Sequence, residues 1–189
     1  MTKLDTIDRN AYNKKGYKAG PLWKVLLWYI FNLVFFANPF FPFRKIKPLL
    51  LRLFGAKVGK SCIIKPGVNI KHPWFLTLGD YVTIGENVWI DNVWHMHLDD
   101  VVTVSQGAIF VAGNHDYKSR NFDLMLKPTY VGKGAWICCK AIVGPGITIG
   151  KNAILSVGAV ATKDLEEDGI YVGNPAKWVK KRIFYDQQS

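Results

Sequence analysis

The side chains able to do chemistry are few, and the most conspicuous is His115 in the segment NHDYKSR, beside Asp116 and two cations. An imidazole has an unperturbed pKa of about 6.5, so it can accept a proton at neutral pH. His95 and His97 alternate in sequence, so on a strand both would point the same way and could ligate a metal together with His115. These residues therefore allow two chemistries, proton transfer and metal binding.

The cysteines exclude other classes of site. Cys62, Cys138 and Cys139 are too few for a disulfide framework, and the adjacent pair lacks the two-residue gap of zinc-binding and redox motifs. Three unpaired cysteines predict a reducing compartment, and we expect a cytoplasmic protein. The 189 residues, 49% of them hydrophobic, suffice for one ordinary domain with its own core.

A six-residue repeat positions these residues. From residue 58 the first place of each unit is Val, Ile, Leu or Phe in fourteen of fifteen units, and the next place is often glycine. A period of six gives three short strands in each eighteen-residue coil, with the apolar residue inward. The units begin at Val58, Ile64, Ile70, Leu78, Ile84, Ile90, Leu98, Val104, Phe110, Val131, Ile137, Val143, Ile149, Leu155 and Ala161. The sequence therefore predicts a triangular parallel β-helix of five coils.

The repeat is interrupted only after the third unit of a coil. The steps from Ile70 to Leu78 and from Ile90 to Leu98 are eight residues, and the step from Phe110 to Val131 is twenty-one. All three insertions therefore leave the solenoid at one corner, and insertions confined to one edge usually form the binding face. The long insertion, residues 114–128, carries His115, and long loops are more often functional than not.

The N-terminal part combines positive charge with apolar residues. Residues 1–60 contain 12 Lys and Arg and two acids, a net charge of +10, whereas the remainder has +1. Residues 25–43 have no charge, but Pro39 and Pro42 limit any helix to about fourteen residues, roughly 21 Å, which is too short for a bilayer core of about 30 Å. Two alternatives stay open: an interfacial or re-entrant segment held to anionic lipid, or a helix packed on the protein. Nucleic acid explains this charge less well, since the lysines are interleaved with apolar residues.

The repeat, the loop GNHD at 113–116, the segment from 134 to 164 containing ATKD, and the ending VGNPAKWVKK at 172–181 resemble the hexapeptide-repeat acyltransferases. The chain is most similar to the colanic-acid biosynthesis type, sugar O-acetyltransferases of exopolysaccharide assembly. The resemblance implies an all-β, left-handed parallel β-helix, a homotrimer with active sites in the clefts between neighbouring coils, and acetyl-CoA as acyl donor without a metal.

The resemblance also implies roles for single residues. His115 becomes the general base that deprotonates a sugar hydroxyl for direct transfer. Asn92 corresponds to an asparagine near the acceptor, although a turn role explains it equally, and Asp116 either orients the imidazole or caps a turn. We expect both residues at the substrate-binding site. The positions expected to contact coenzyme A are Trp136, Cys139, Val157, Thr162, Lys163 and Lys177, the two lysines through its phosphates.

We therefore expect three segments: a basic, apolar, helical extension at 1–57, the β-helix at 58–165, and a tail with a short helix at 166–189, which carries Lys180, Lys181 and Arg182. The predicted acceptor is a small or lipid-linked sugar. Two other hypotheses are a γ-carbonic-anhydrase-like metal enzyme using His95, His97 and His115, and a non-enzymatic scaffold docked on a membrane through residues 25–43.

Overall fold

A computed structural model describes residues 6–14 and 16–185 of the chain. Its body is a left-handed parallel β-helix with three faces. The first face contains β1 (Lys57–Val58), β4 (Leu76–Leu78), β7 (Met96–Leu98), β12 (Thr129–Val131) and β15 (Thr148–Ile149). The second contains β2 (Ile63–Ile64), β5 (Thr83–Ile84), β8 (Thr103–Val104), β13 (Trp136–Ile137) and β16 (Ile154–Leu155). The third contains β3 (Asn69–Ile70), β6 (Trp89–Asp91), β9 (Ile109–Val111), β14 (Ile142–Val143) and β17 (Val160–Ala161).

The predicted six-residue register is the register of the core. The first residues of the units from Ile64 to Ala161 are at most 2% exposed, and they stack coil upon coil along the axis. At the start of the solenoid, Val58 is half-buried. Burying one branched side chain contributes about 1.5–3 kcal/mol, so this repeated column supplies much of the stability of the fold.

Glycine in the second place of a unit is required for close packing and not for a left-handed turn. Gly79 and Gly132 do not have a positive φ. A Cβ atom on Gly79 would lie 2.6 Å from the backbone nitrogen of Asp100, and one on Gly132 would lie 2.7 Å from that of Lys151. These glycines are therefore required for the close approach of adjacent coils.

The three corners of the triangle differ. We call the corner between the first and second faces the first corner, that between the second and third faces the second corner, and that between the third face and the next coil the third corner. The insertions leave from the third corner, as predicted. The long insertion forms an antiparallel hairpin of β10 (Gly113–His115) and β11 (Leu124–Leu126), in which His115 is paired with Leu124.

The C-terminal region differs from the prediction. The solenoid continues past residue 165 into a sixth, incomplete coil: Leu165 bridges to Ile149 on the first face, and β18 (Gly169–Val172) pairs with β16 on the second. The predicted helix with Lys180, Lys181 and Arg182 is wrong. Lys180 and Lys181 lie in β19 (Lys177–Lys181), antiparallel to β18, and Arg182 follows it. This strand pairs the backbone edge that the last coil would otherwise leave open.

Two helical segments close the other end. Helix α1 (Leu22–Phe31) continues into a π-helical turn (Asn32–Phe36), and α2 (Ile46–Leu53) follows. The π-helical turn packs on β3, and α2 packs on β1 and β2, so both cover the first coil. Short 3₁₀ turns lie at Arg9–Ala11 and Pro73–Phe75. Of the helices in the described ranges, none has the length and apolar character needed to cross a membrane.

Candidate active site

His115 ends the first strand of the hairpin, where its ring is held between aromatic side chains. The imidazole stacks on Phe122, with ring centroids 4.3 Å apart and planes 6° from parallel. On another side the ring of Tyr12 lies 5.8 Å away. His115, Tyr12, Asn121 and Phe122 line a cavity of about 470 Å³. The half-buried imidazole therefore faces an open space large enough for part of a sugar.

One hydrogen bond determines the protonation pattern of this imidazole. The Nδ1 atom lies 3.0 Å from the carbonyl oxygen of Phe122, and a carbonyl can only accept, so Nδ1 carries the proton. In the neutral ring, Nε2 is then the unprotonated nitrogen with a free lone pair. This is the tautomer in which His115 can act as a general base through Nε2.

Asp116 lies in the turn after His115. Its backbone nitrogen donates to the carbonyl of Asp123 at 2.9 Å, and its Oδ1 accepts from the backbone nitrogen of Lys118 at 3.1 Å. This is the capping role, one of the two alternatives that the sequence left open. The imidazole is oriented by the carbonyl of Phe122 and not by Asp116. A substrate contact by Asp116 stays a prediction.

Asn92 lies at the third corner, one coil before the hairpin, and its side chain is fully buried. Its Oδ1 accepts from the backbone nitrogen of His72 at 3.1 Å, and its Nδ2 donates to the carbonyl of His72 at 2.6 Å. The oxygen and the nitrogen of the Asn92 amide thus both bond to the backbone of the preceding coil. This geometry favours the turn role over an acceptor contact.

Residues 8–13, which we call the N-terminal leader, run along the hairpin. The sequence did not connect them with the site. Asp8 donates its backbone N–H to the carbonyl of Arg120 at 2.8 Å, and the carbonyl of Asn13 accepts from the backbone of Leu124 at 3.1 Å. This pairing brings Tyr12 to the imidazole. No local pattern indicates Tyr12, because the contact joins residues far apart in the chain.

Three of the predicted coenzyme A contacts lie on the second face and second corner. The Trp136 ring is 42% exposed, and its Nε1 donates to Ser105 Oγ at 2.9 Å. Cys139 and Val157 occupy the second corner in successive coils, where the carbonyl of Cys139 accepts from the backbone of Gly158 at 3.0 Å. Val157 is 69% exposed. Burial raises the pKa of the neighbouring Cys138 thiol, which makes it less reactive.

The other predicted contacts lie elsewhere. Thr162 and Lys163 follow β17 at the third corner of the fifth coil, and Lys177 begins β19; all three are exposed. Within one chain, the third face separates His115 at the third corner from Cys139 and Val157 at the second. A single chain therefore does not bring the predicted base into one pocket with Cys139 and Val157.

The structure also locates the histidines of the metal hypothesis. The His95 ring contacts Trp94 and Phe75, with centroids 4.9 and 5.1 Å away, and His97 contacts Tyr130 on the first face. In the described part of the chain, no three His, Cys, Asp or Glu side chains are grouped so that they could hold a metal ion.

Known proteins share this fold and sequence pattern, although no protein-family model matches the chain. The chain is 33% identical over 169 residues to the "Putative colanic acid biosynthesis acetyltransferase WcaF" of Escherichia coli, covering 89% of this chain and 93% of that protein. A maltose O-acetyltransferase from Clostridium difficile superposes with a TM-score of 0.75 and 24% identity, over 90% of this chain and 94% of that one. A Vibrio cholerae hexapeptide-repeat acetyltransferase complexed with acetyl-CoA superposes with a TM-score of 0.67 and 20% identity, over 72% of this chain and 76% of that one. The repeat, the hairpin and this relationship together place the chain in the hexapeptide-repeat acetyltransferase family, as the resemblance predicted.

Proposed function

We propose that this protein transfers an acetyl group from acetyl-CoA to a sugar hydroxyl during the synthesis of an exopolysaccharide or another surface glycan. Membership of an acetyltransferase family supports the reaction, and the relationship to a colanic acid biosynthesis protein supports the acceptor class. The observation that carries the proposal is the fixed tautomer of His115 beside an open cavity. We place the reaction in the cytoplasm, in keeping with the free thiols of Cys62, Cys138 and Cys139.

In the proposed reaction His115 first accepts a proton and then returns it. Its Nε2 accepts the proton of the acceptor hydroxyl while that oxygen attacks the thioester carbonyl carbon, giving a tetrahedral intermediate. Collapse breaks the carbon–sulfur bond, and the imidazolium returns the proton to the leaving sulfur of coenzyme A. The carbonyl of Phe122, 3.0 Å from Nδ1, stabilises the positive ring between these two transfers.

The separation of His115 from Cys139 and Val157 supports a site shared between chains. In a closed ring of three copies, the third corner of one chain can face the second corner of its neighbour. The pantetheine arm would then lie along Cys139 and Val157, while Lys163 and Lys177 would bind the phosphates. We propose a homotrimer for this reason.

The test is acetyl-CoA turnover with a panel of candidate glycans and sugar intermediates. Replacing His115 by Ala should lower kcat by about 10²- to 10⁴-fold, while acetyl-CoA binding, measured by calorimetry, should change little. His97→Ala is the matched control, because His97 lies in β7 on the first face and is not among the residues that line the cavity, and it should keep its rate. Retention of activity in His115→Ala would exclude His115 as the base, and absence of acetyl-CoA binding to the intact protein would exclude the reaction.

A further inference from the structure

The segment containing α1, the π-helical turn and α2 has two different sides. Toward the solenoid it is buried: the indole of Trp28 donates to the carbonyl of Ile70 at 2.8 Å, Asn32 bonds to Asn69 at 2.8 Å, and Phe36 is fully buried. Away from the solenoid it exposes large apolar side chains. The sequence left packing and membrane binding as alternatives, and these contacts show that packing uses only one side.

The exposed apolar side is extensive. On α1 and the π-helical turn the exposed residues recur at helical spacing, so they form a continuous stripe. Its members are Leu22, Trp23, Leu26, Leu27, Tyr29, Ile30, Leu33 and Val34, each between 41% and 72% exposed. Phe40, Phe43, Leu49 and Leu53 continue it through the connecting loop and α2, at 59% to 89%. We call these twelve residues the end surface.

The two helical segments present the end surface on the same end of the molecule. The π-helical turn covers β3, and α2 covers β1 and β2, which are the first strands of all three faces. The rings of Phe31 and Phe54 lie 5.1 Å apart between the segments. Because both segments are buried against the first coil, their exposed sides face away from it. A trimer formed through the sides of the coils would leave this end uncovered.

The charged residues of the segment that carries the end surface are all basic. Asp91, which borders a cavity with Tyr29 and Leu33, is paired with Lys71 at 2.7 Å. No Asp or Glu occurs between Asp8 and Asp80. Arg44 and Lys45 stand between the exposed Phe43 and Ile46, and both are exposed. In the described residues neither has an acid within salt-bridge distance. One guanidinium and one ammonium group beside apolar side chains complement a surface that combines negative charge with hydrocarbon.

We propose that the end surface docks on an anionic phospholipid bilayer, with the helices lying in the interface. The fifteen residues from Leu22 to Phe36 span about 22 Å at 1.5 Å per residue, too short to cross a hydrocarbon core of roughly 30 Å. Trp23 and Tyr29 are suited to the headgroup level, where one end of the ring is apolar and the other polar. Arg44 and Lys45 meet the lipid phosphates.

A second copy of the chain fits this surface less well. Two end surfaces facing each other would bring Arg44 and Lys45 of both copies together, and the surrounding sequence provides no acid to pair with them. Like charges brought together oppose association. The lipid phosphate supplies the partner that another copy lacks.

The experiment is co-sedimentation of the full chain with vesicles of phosphatidylcholine containing about one third phosphatidylglycerol, compared with phosphatidylcholine alone. The protein should bind the anionic vesicles at low salt and bind phosphatidylcholine at least tenfold more weakly. The double substitution Leu26→Glu with Ile30→Glu should reduce the partition coefficient more than tenfold. Arg44→Gln with Lys45→Gln should reduce it on the order of tenfold on anionic vesicles.

The matched control is Ile183→Glu with Tyr185→Glu. It adds the same charge at exposed apolar residues next to Arg182, which bonds to carbonyls of the fourth and fifth coils, far from the first. This variant should bind vesicles like the unmodified chain. Equal binding by all variants, or no binding by the unmodified chain, would overturn the proposal.

Light scattering without lipid provides a second readout. The unmodified chain and the Leu26→Glu, Ile30→Glu variant should have the same mass and the same far-ultraviolet circular dichroism. A larger mass for the unmodified chain that this variant abolishes would instead assign the end surface to another copy of the chain. None of these measurements requires acetyl transfer, so their outcome is independent of the proposed reaction.

Discussion

The first and third corners of the solenoid satisfy their backbone groups in different ways. At the first corner, backbone nitrogens bond to carbonyls of the preceding coil: Tyr81 to Lys60, Val101 to Asp80, Gly134 to Asp100, Asn152 to Lys133 and Asp168 to Lys151, all at 2.8–3.0 Å. At the third corner, side chains take part, as Asn92 does with the backbone of His72 and His115 with the carbonyl of Phe122. At the first corner the Oδ1 atoms of Asp80 and Asp100 also accept from the backbone nitrogens of Lys60 and Asp80, at 2.9 Å, but one backbone bond recurs there in every coil. The third corner, whose insertions differ in length, depends more on particular side chains. This corner also carries the proposed base.

The largest expected difference between the corners concerns the stability of the fold at acidic pH. His72 at the third corner is buried and stacks on Trp74 with ring centroids 5.0 Å apart. Burial, with a smaller contribution from the charge of Lys71, lowers its pKa to about 4. Between pH 6.5 and 4 the unfolded chain therefore binds more protons at this residue than the native chain, and stability falls as the pH falls. The loss should approach about 3 kcal/mol by pH 4.

Replacing His72 by Phe keeps a ring on Trp74 and removes the titration. Urea unfolding at neutral pH and near pH 4 should show that the variant loses about 3 kcal/mol less than the unmodified chain over this interval. The comparison uses the loss of unfolding free energy between the two pH values in each protein. A packing effect of the new ring is the same at both pH values, so it does not enter this loss. Equal losses in both proteins would show that His72 does not make this corner sensitive to acid.

A smaller effect is expected at Asn92. Its replacement by Ala leaves the backbone N–H and C=O of His72 buried without their partners, which should cost about 2 kcal/mol of unfolding free energy. The exposed Asn114, whose Oδ1 accepts from the backbone of His115 at 2.8 Å, provides the comparison. Asn114→Ala should cost less than about 0.5 kcal/mol. Chemical denaturation measures both, and similar costs would contradict a special dependence of the third corner on a buried amide.

This difference between corners also explains what the sequence could predict. The column of apolar residues from Ile64 to Ala161 and the location of the insertions follow from local spacing, because each coil repeats the same contacts. The handedness came from the family resemblance alone. The contacts of Tyr12 and Phe122 with His115 were not predictable, because they depend on how the leader and the hairpin fold together. The C-terminal strand was missed because it pairs with the open edge of β18, which local sequence does not show.

The smallest expected effect is at the first corner, at the residues whose backbone nitrogens make the repeated bond, where side chains should be interchangeable. Val101 has a φ of 58°, a left-handed conformation that a β-branched residue adopts only with strain, and it is 50% exposed. Asn152 occupies the equivalent place two coils later with a φ of 57°, and its Nδ2 donates to Asp168 at 3.0 Å. Because Asn tolerates this conformation, Val101→Asn should stabilise the protein by about 1 kcal/mol in urea unfolding. Val179→Asn, at an exposed valine in β19 without a positive φ, should give no gain. If Val101→Asn were destabilising, the first corner would depend on its side chain as the third corner does.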